Sequence, residues 1–218
     1  MLKTISTFAL VSIVSCLSSL AFGAPPVQKP LDSHVSVAPV NGTLSEYLID
    51  LFKSAGLAGG VAVVNENCAE SSGTFPEFTG SMRGALESLV SLGYSVHWLE
   101  LDGTLVVHST TLLPPFLESP VQEFRFSRKD SLIAVSSALL DLPGPRETAL
   151  KLHLVQYGPE IGFARLKHPT APTDVVTLTN TTVLHALNSI SGEHGVWLYK
   201  ESKCDRRIMS LNWPLRQF

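Results

Sequence analysis

From residue 34 onward the hydrophobic and polar positions fall into two alternating rhythms. His34-Val35-Ser36-Val37-Ala38 repeats with the period of two of a half-buried strand. Thr43-Leu44-Ser45-Glu46 then has the form of a capping box, in which a Thr hydroxyl and a Glu carboxylate each meet a free backbone N–H at a helix start. Leu44, Leu48, Leu51, Phe52 and Ala55 follow at helical spacing, and Gly56 supplies the stop. Residues 60–64 are a β-prone run, 65–74 are polar and turn-rich, and 75–79 predict a further short strand. Ser81 caps a second helix with Ala85, Leu86, Leu89 and Leu92 inward and Gly93 at its end. Residues 94–101 and 104–108 flank Asp102-Gly103, a pair that tolerates the positive φ of a type I′ hairpin turn.

Residues 111–120, with Pro114, Pro115 and Pro120, read as a Pro-rich linker, after which the same order begins again. Residues 121–126 alternate as a strand. Asp130 or Ser131 caps a helix bearing Leu132, Val135, Leu139 and Leu140, and Pro143-Gly144-Pro145 is expected to end it. Strands are predicted at 149–157, 160–166 and 175–179, with a loop at 169–173. Thr181 or Thr182 caps a last helix carrying Leu184, Leu187 and Ile190, stopped near Gly192. The halves overlay: Thr79-Gly80-Ser81, Ala85-Leu86-Glu87-Ser88-Leu89 and Trp98-Leu99 lie over Thr179-Asn180-Thr181, Ala186-Leu187-Asn188-Ser189-Ile190 and Trp197-Leu198. The expected fold class is α+β: two tandem small domains, 34–110 and a divergent copy at 121–218, each of two helices packed on short mixed β-strands with a closing β-hairpin.

The first copy resembles the secretin and TonB short N-terminal domain. Thr43-Leu44-Ser45-Glu46-Tyr47-Leu48 stands where that family has its first Leu-rich helix pattern. Ala85-Leu86-Glu87-Ser88-Leu89-Val90 with Gly93-Tyr94 matches the second helix, and Asp102-Gly103-Thr104-Leu105-Val106-Val107 the closing hairpin. The second copy departs from the pattern, with a longer middle section at 143–173 and Lys203-Cys204-Asp205-Arg206-Arg207 in its last hairpin. The resemblance implies a small α+β fold and an affinity for other envelope proteins.

The amino terminus changes the picture of location. Lys3, an uncharged apolar run at 8–20, and small residues at Ala21 and Gly23 before Pro25-Pro26 have the form of a secretory signal peptide at 1–23. The run is too short for a transmembrane span of roughly 20 apolar residues. Ile13-Val14-Ser15-Cys16 also resembles a lipobox, which leaves open a lipid anchor on Cys16. The exported chain, periplasmic or secreted, then begins with a Pro-rich disordered lead-in at 24–33. A net charge of −3, from 16 Lys and Arg against 19 Asp and Glu, provides no basic footprint for nucleic acid.

Cys68 and Cys204 remain after such processing and are the candidate disulfide, since an exported chain meets an oxidising compartment; free thiols are the alternative. The histidines lack the His-x-x-x-His or His-Glu-x-x-His spacing that would put two imidazoles on one helix turn, so no metal or cofactor is expected. No Gly-x-Ser-x-Gly elbow marks a nucleophile. Trp98 and Trp197 are candidate partner anchors or core residues. Lys200, Lys203, Arg206 and Arg207 form a basic cluster that suits a solvated hairpin tip, an acidic partner or a lipid head group. The expected function is a non-enzymatic module that binds another envelope protein through sheet edges or hairpins. Two other readings stay open: a secreted hydrolase with a Ser/His site, and a small-ligand or cell-wall binder using the groove between the two domains.

Overall fold

The computed structural model describes residues 29–66, 68, 70–156, 175–203 and 207–215. The first half runs β1 (His34–Val37), β2 (Val40–Thr43), α1 (Leu44–Ala55), β3 (Gly59–Asn65), β4 (Ser72–Phe75), β5 (Phe78–Ser81), α2 (Met82–Ser91), β6 (His97–Leu101) and β7 (Thr104–His108). The second runs β8 (Pro120–Ser127), α3 (Leu132–Leu140), α4 (Pro143–Lys151), β9 (Leu154–Gln156), β10 (Val175–Thr182), α5 (Val183–His194), β11 (Val196–Lys203) and β12 (Arg207–Leu215). Helices and short-stranded sheets of both halves make the chain α+β, the class that its hydrophobic rhythms predict.

The helix starts follow the capping chemistry of the sequence. The Thr43 N–H donates to Glu46 Oε2 at 2.7 Å, and the Glu46 N–H returns to Thr43 Oγ1 at 3.3 Å. Ser81, Ser131 and Thr182 accept from the N–H groups of Gly84, Ala134 and His185 in the same way. Asp102 and Gly103 take φ of 53° and 75°, the two positive values a type I′ turn requires.

Six strands form the central sheet in the order β6-β7-β3-β11-β12-β9. β6–β7 and β11–β12 are antiparallel hairpins, whereas β7, β3 and β11 run parallel, as do β12 and β9. Each half therefore contributes the same set: a hairpin, then a strand parallel to the hairpin's second arm. The sets meet where β3 pairs with β11, from Gly59↔Val196 to Asn65↔Ser202. The equivalent strands β6 and β11 point in opposite directions, so the second set is inverted along the strands while its left-to-right order is kept. A rotation that does both must also turn the sheet over.

Burial follows from that inversion. Val61, Val63, Leu105, Val107 and Leu198 face α1 and α2 in one core. Ala62, Val106, Trp197 and Tyr199 face the opposite way, into a core with Val135 of α3 and Leu187 and Ile190 of α5. β3 lies between the two cores and is buried on both faces, which is why residues 60–64 read as a continuous apolar run. Three two-stranded ribbons, β1–β5, β2–β4 and β8–β10, complete the structure.

Several local expectations are revised. Within the lead-in, Pro30–Asp32 is an ordered 3₁₀ turn, and Leu31 is only 4% exposed. Its order comes from burying that side chain and from the Met82 N–H donating to the Ser33 carbonyl at 2.8 Å. In the Pro-rich linker, Pro115–Glu118 is also a 3₁₀ turn, and Phe116 and Leu117 enter the second core, where Phe116 stacks on Tyr199. Pro143 opens α4 where a break was expected, because at the first helical position a missing N–H costs no hydrogen bond. Helix thus occupies 149–151, and the strand expected at 149–157 shrinks to Leu154–Gln156. β2 was not foreseen; it pairs with β4, and Thr74 Oγ1 donates to Asn41 Oδ1 across the ribbon. The strand expected at 160–166 lies outside the described residues.

Candidate functional site

The seam between the halves is built around Trp197. Its indole lies directly over Gly60 of the neighbouring strand, where any Cβ would collide with the ring. Nε1 donates to Asn188 Oδ1 of α5 at 3.0 Å, and the residue is fully buried. As a partner anchor Trp197 is therefore corrected: it is a core residue, with no surface to offer. Asn188 Nδ2, buried beside it, makes no hydrogen bond. Trp98, on the equivalent strand β6, is half-buried against the α1–α2 core. Among the described residues β11 is enclosed by β3 and β12, whereas β6 has a neighbour on one side, β7.

Among the described residues β6 is a border strand of the sheet. Leu101↔Thr104 closes the two-residue turn, so Leu101, Leu99 and His97 exchange backbone bonds with β7. By alternation the N–H and C=O groups of Trp98 and Glu100 point away from β7, towards the open side. At the other end of the sheet, β9 runs into residues that are not described.

The basic cluster is largely neutralised where it is described. Lys200 Nζ lies 3.0 Å from Glu70 Oε2, and Glu70 also accepts from the Ser45 N–H and hydroxyl at 2.7 Å each. Lys203 Nζ lies 2.6 Å from Glu66 Oε1. Arg207 stands opposite Lys203 in the hairpin, while Arg206 and Cys204 lie outside the described residues. The hydroxyl of Ser202 donates to the Cys68 carbonyl at 3.1 Å, which brings Cys68 beside the end of β11.

A cavity of about 730 Å³ opens at the carboxyl ends of the parallel strands β7, β3 and β11, roofed by the segment that follows β7. Val64, His108, Glu201 and Lys203 reach it from the sheet, and Leu113 and Pro114 from the roof. Residues from both halves thus meet there. His108 is 5% exposed, and its Nδ1 lies 2.6 Å from the Thr110 carbonyl. A carbonyl only accepts, so Nδ1 carries the proton and Nε2 keeps a lone pair when the ring is neutral. Burial pushes the His108 pKa below the ordinary histidine value; the Thr110 bond opposes the shift, and neighbouring His97 adds to it. Glu201 is buried and accepts from the Tyr199 hydroxyl at 2.8 Å. In the sequence His108 stands out only as one of several scattered hairpin and strand histidines, and no motif marks Glu201. The available signal was Glu201 itself, a carboxylate on the apolar stripe Trp197-Tyr199-Glu201 of a strand.

His185 Nδ1 lies 3.1 Å from Asp102 Oδ2, and His97 Nε2 lies 3.5 Å from Ser95 Oγ. Neither pair acquires the third member of a Ser-His-carboxylate set among the described residues. Nor do these residues gather three or more His, Cys, Asp or Glu side chains that could hold a metal ion. Among them no helix is long and apolar enough to cross a membrane. Comparison with family models, with curated proteins and with solved structures found no match to this chain.

Proposed function

We propose that the chain is an exported, non-enzymatic binding module of the cell envelope that adds a strand of another exported protein to β6. The observation that carries this reading is the seam itself. The two halves are already joined by strand addition, with β11 laid parallel to β3 over seven residue pairs. β6 holds the same place in the first half as β11 in the second, and its outer backbone groups lie at the border of the sheet. Edge strands of this kind bind partner strands through main-chain hydrogen bonds.

Further support comes from the sequence: the signal-peptide pattern at 1–23, with Cys16 as an alternative lipid anchor, and the resemblance of 34–108 to the secretin and TonB short N-terminal domain. On this reading 34–110 and 121–218 are divergent copies of one unit, and a disulfide between Cys68 and Cys204 clamps the copies together.

Glu100→Pro is the direct test. It removes an outward N–H and places a ring on the border without costing a bond to β7. Wild-type chain, cross-linked in a periplasmic extract, should recover a partner that the variant loses while its thermal unfolding stays unchanged. Equal recovery by both chains, or recovery by neither, would refute docking at β6.

A further inference from the structure

We propose that the seam cavity is a binding site for a small amine, with a protonated nitrogen as its head and an apolar hydrocarbon body. This site is separate from the β6 edge and does not depend on docking there. A volume of about 730 Å³ is within the range of sites that take small organic ligands. The body would lie along Val64, Leu113 and Pro114, which supply an apolar wall.

The head is decided by hydrogen-bond polarity. His108 is nine-tenths buried, lines the cavity, and spends its Nδ1–H on Thr110. Among the described residues its ring makes no other hydrogen bond, so Nε2 of the neutral ring offers a lone pair to a donor. Glu118 adds an exposed carboxylate to the lining, and Glu201 adds a buried one that already accepts from the Tyr199 hydroxyl. The single ammonium of the lining, Lys203, is matched by Glu66 at 2.6 Å. A ligand that brings N–H donors and positive charge therefore meets acceptors, while a carboxylate would meet two of its own kind.

Three probes of equal length separate the alternatives: n-hexylamine, 1-hexanol and hexanoate, titrated into the purified full-length chain by calorimetry and followed by NMR shifts. Hexylamine should bind most tightly, hexanol more weakly and hexanoate least. His108→Phe should weaken hexylamine by about tenfold, the loss of one hydrogen bond to a charged group. Leu113→Trp, on the half-buried roof, should fill the cavity and abolish binding of every probe; it serves also if the His108 variant fails to fold. Binding of none of the probes, hexanoate binding as tightly as hexylamine, or hexylamine binding that survives Leu113→Trp would each overturn the proposal.

Discussion

Gly60→Ala places one methyl group where the Trp197 indole now lies, within contact distance of Cε2, Cζ2 and Cδ2. Neither neighbour can yield cheaply. The Gly60 backbone is held between β7 and β11 by the parallel ladders, and Trp197 is packed against α5. Overpacking of this kind costs about 1–3 kcal/mol. If the ring turns aside it loses the bond to Asn188 Oδ1, worth about 1 kcal/mol, and leaves both ends of that buried amide unbonded. Against this, alanine restricts the unfolded chain more than glycine does, an offset of about 0.5–1 kcal/mol. The net expectation is a loss of about 2 kcal/mol, equivalent to a fall of roughly 4–8 °C in midpoint temperature for a chain of this length. Equilibrium urea unfolding followed by far-UV circular dichroism reads the cost without depending on tryptophan fluorescence. The same substitution in a Trp197→Leu background should cost less than about 0.5 kcal/mol, because the smaller side chain vacates the space. A wild-type cost below that value, or strictly additive costs in the double variant, would refute the seam packing described above.

Three other outcomes are expected. Digestion of the non-reduced chain should release Cys68 and Cys204 in one cross-linked pair, and reduction should lower stability by up to about 5 kcal/mol for so long a loop; free thiols in the mass spectrum would remove the clamp. His108 has a folded pKa below its ordinary 6.5, chiefly through burial, so its contribution is present above that value. Acidification from 6.5 towards the folded pKa charges the unfolded chain first and costs stability, and His108→Gln should flatten this slope in unfolding measured across that window. Glu46 has its pKa lowered, first by the Thr43 backbone N–H and then by the Thr43 side chain. The penalty of Glu46→Gln should therefore be full above the ordinary 4.5 and fade as pH falls through the lowered value.

Local chemistry was legible in the residues themselves. The capping box at Thr43 and Glu46, the cap at Ser81 and the Asp102-Gly103 turn each act over three or four residues and are readable in the sequence. The choices of Ser131 over Asp130 and of Thr182 over Thr181 were made by the structure. Proline was ambiguous for the same reason. Pro143 forbids a helix passing through it and favours one starting at it, and the choice fell to α4 packing against β8, with Gly144 close to the Pro120 carbonyl. The lead-in and the Pro-rich linker looked unstructured because their order rests on single anchors, Leu31, Phe116 and Leu117, whose burial sites lie in other elements.

What the sequence determined by itself, then, is the α+β class, most element positions and the parallel between Trp98-Leu99 and Trp197-Leu198. What only the tertiary structure decided is the meaning of that parallel. Strand patterns carry a period of two and say which residues share a face, but they contain no information about which strand lies alongside. The pairing of β3 with β11 buries Trp197 over Gly60, leaves Trp98 at a border and brings His108 and Glu201 to one cavity. Those are contacts between residues 93 to 137 positions apart, and they exist only once the sheet has closed over the seam.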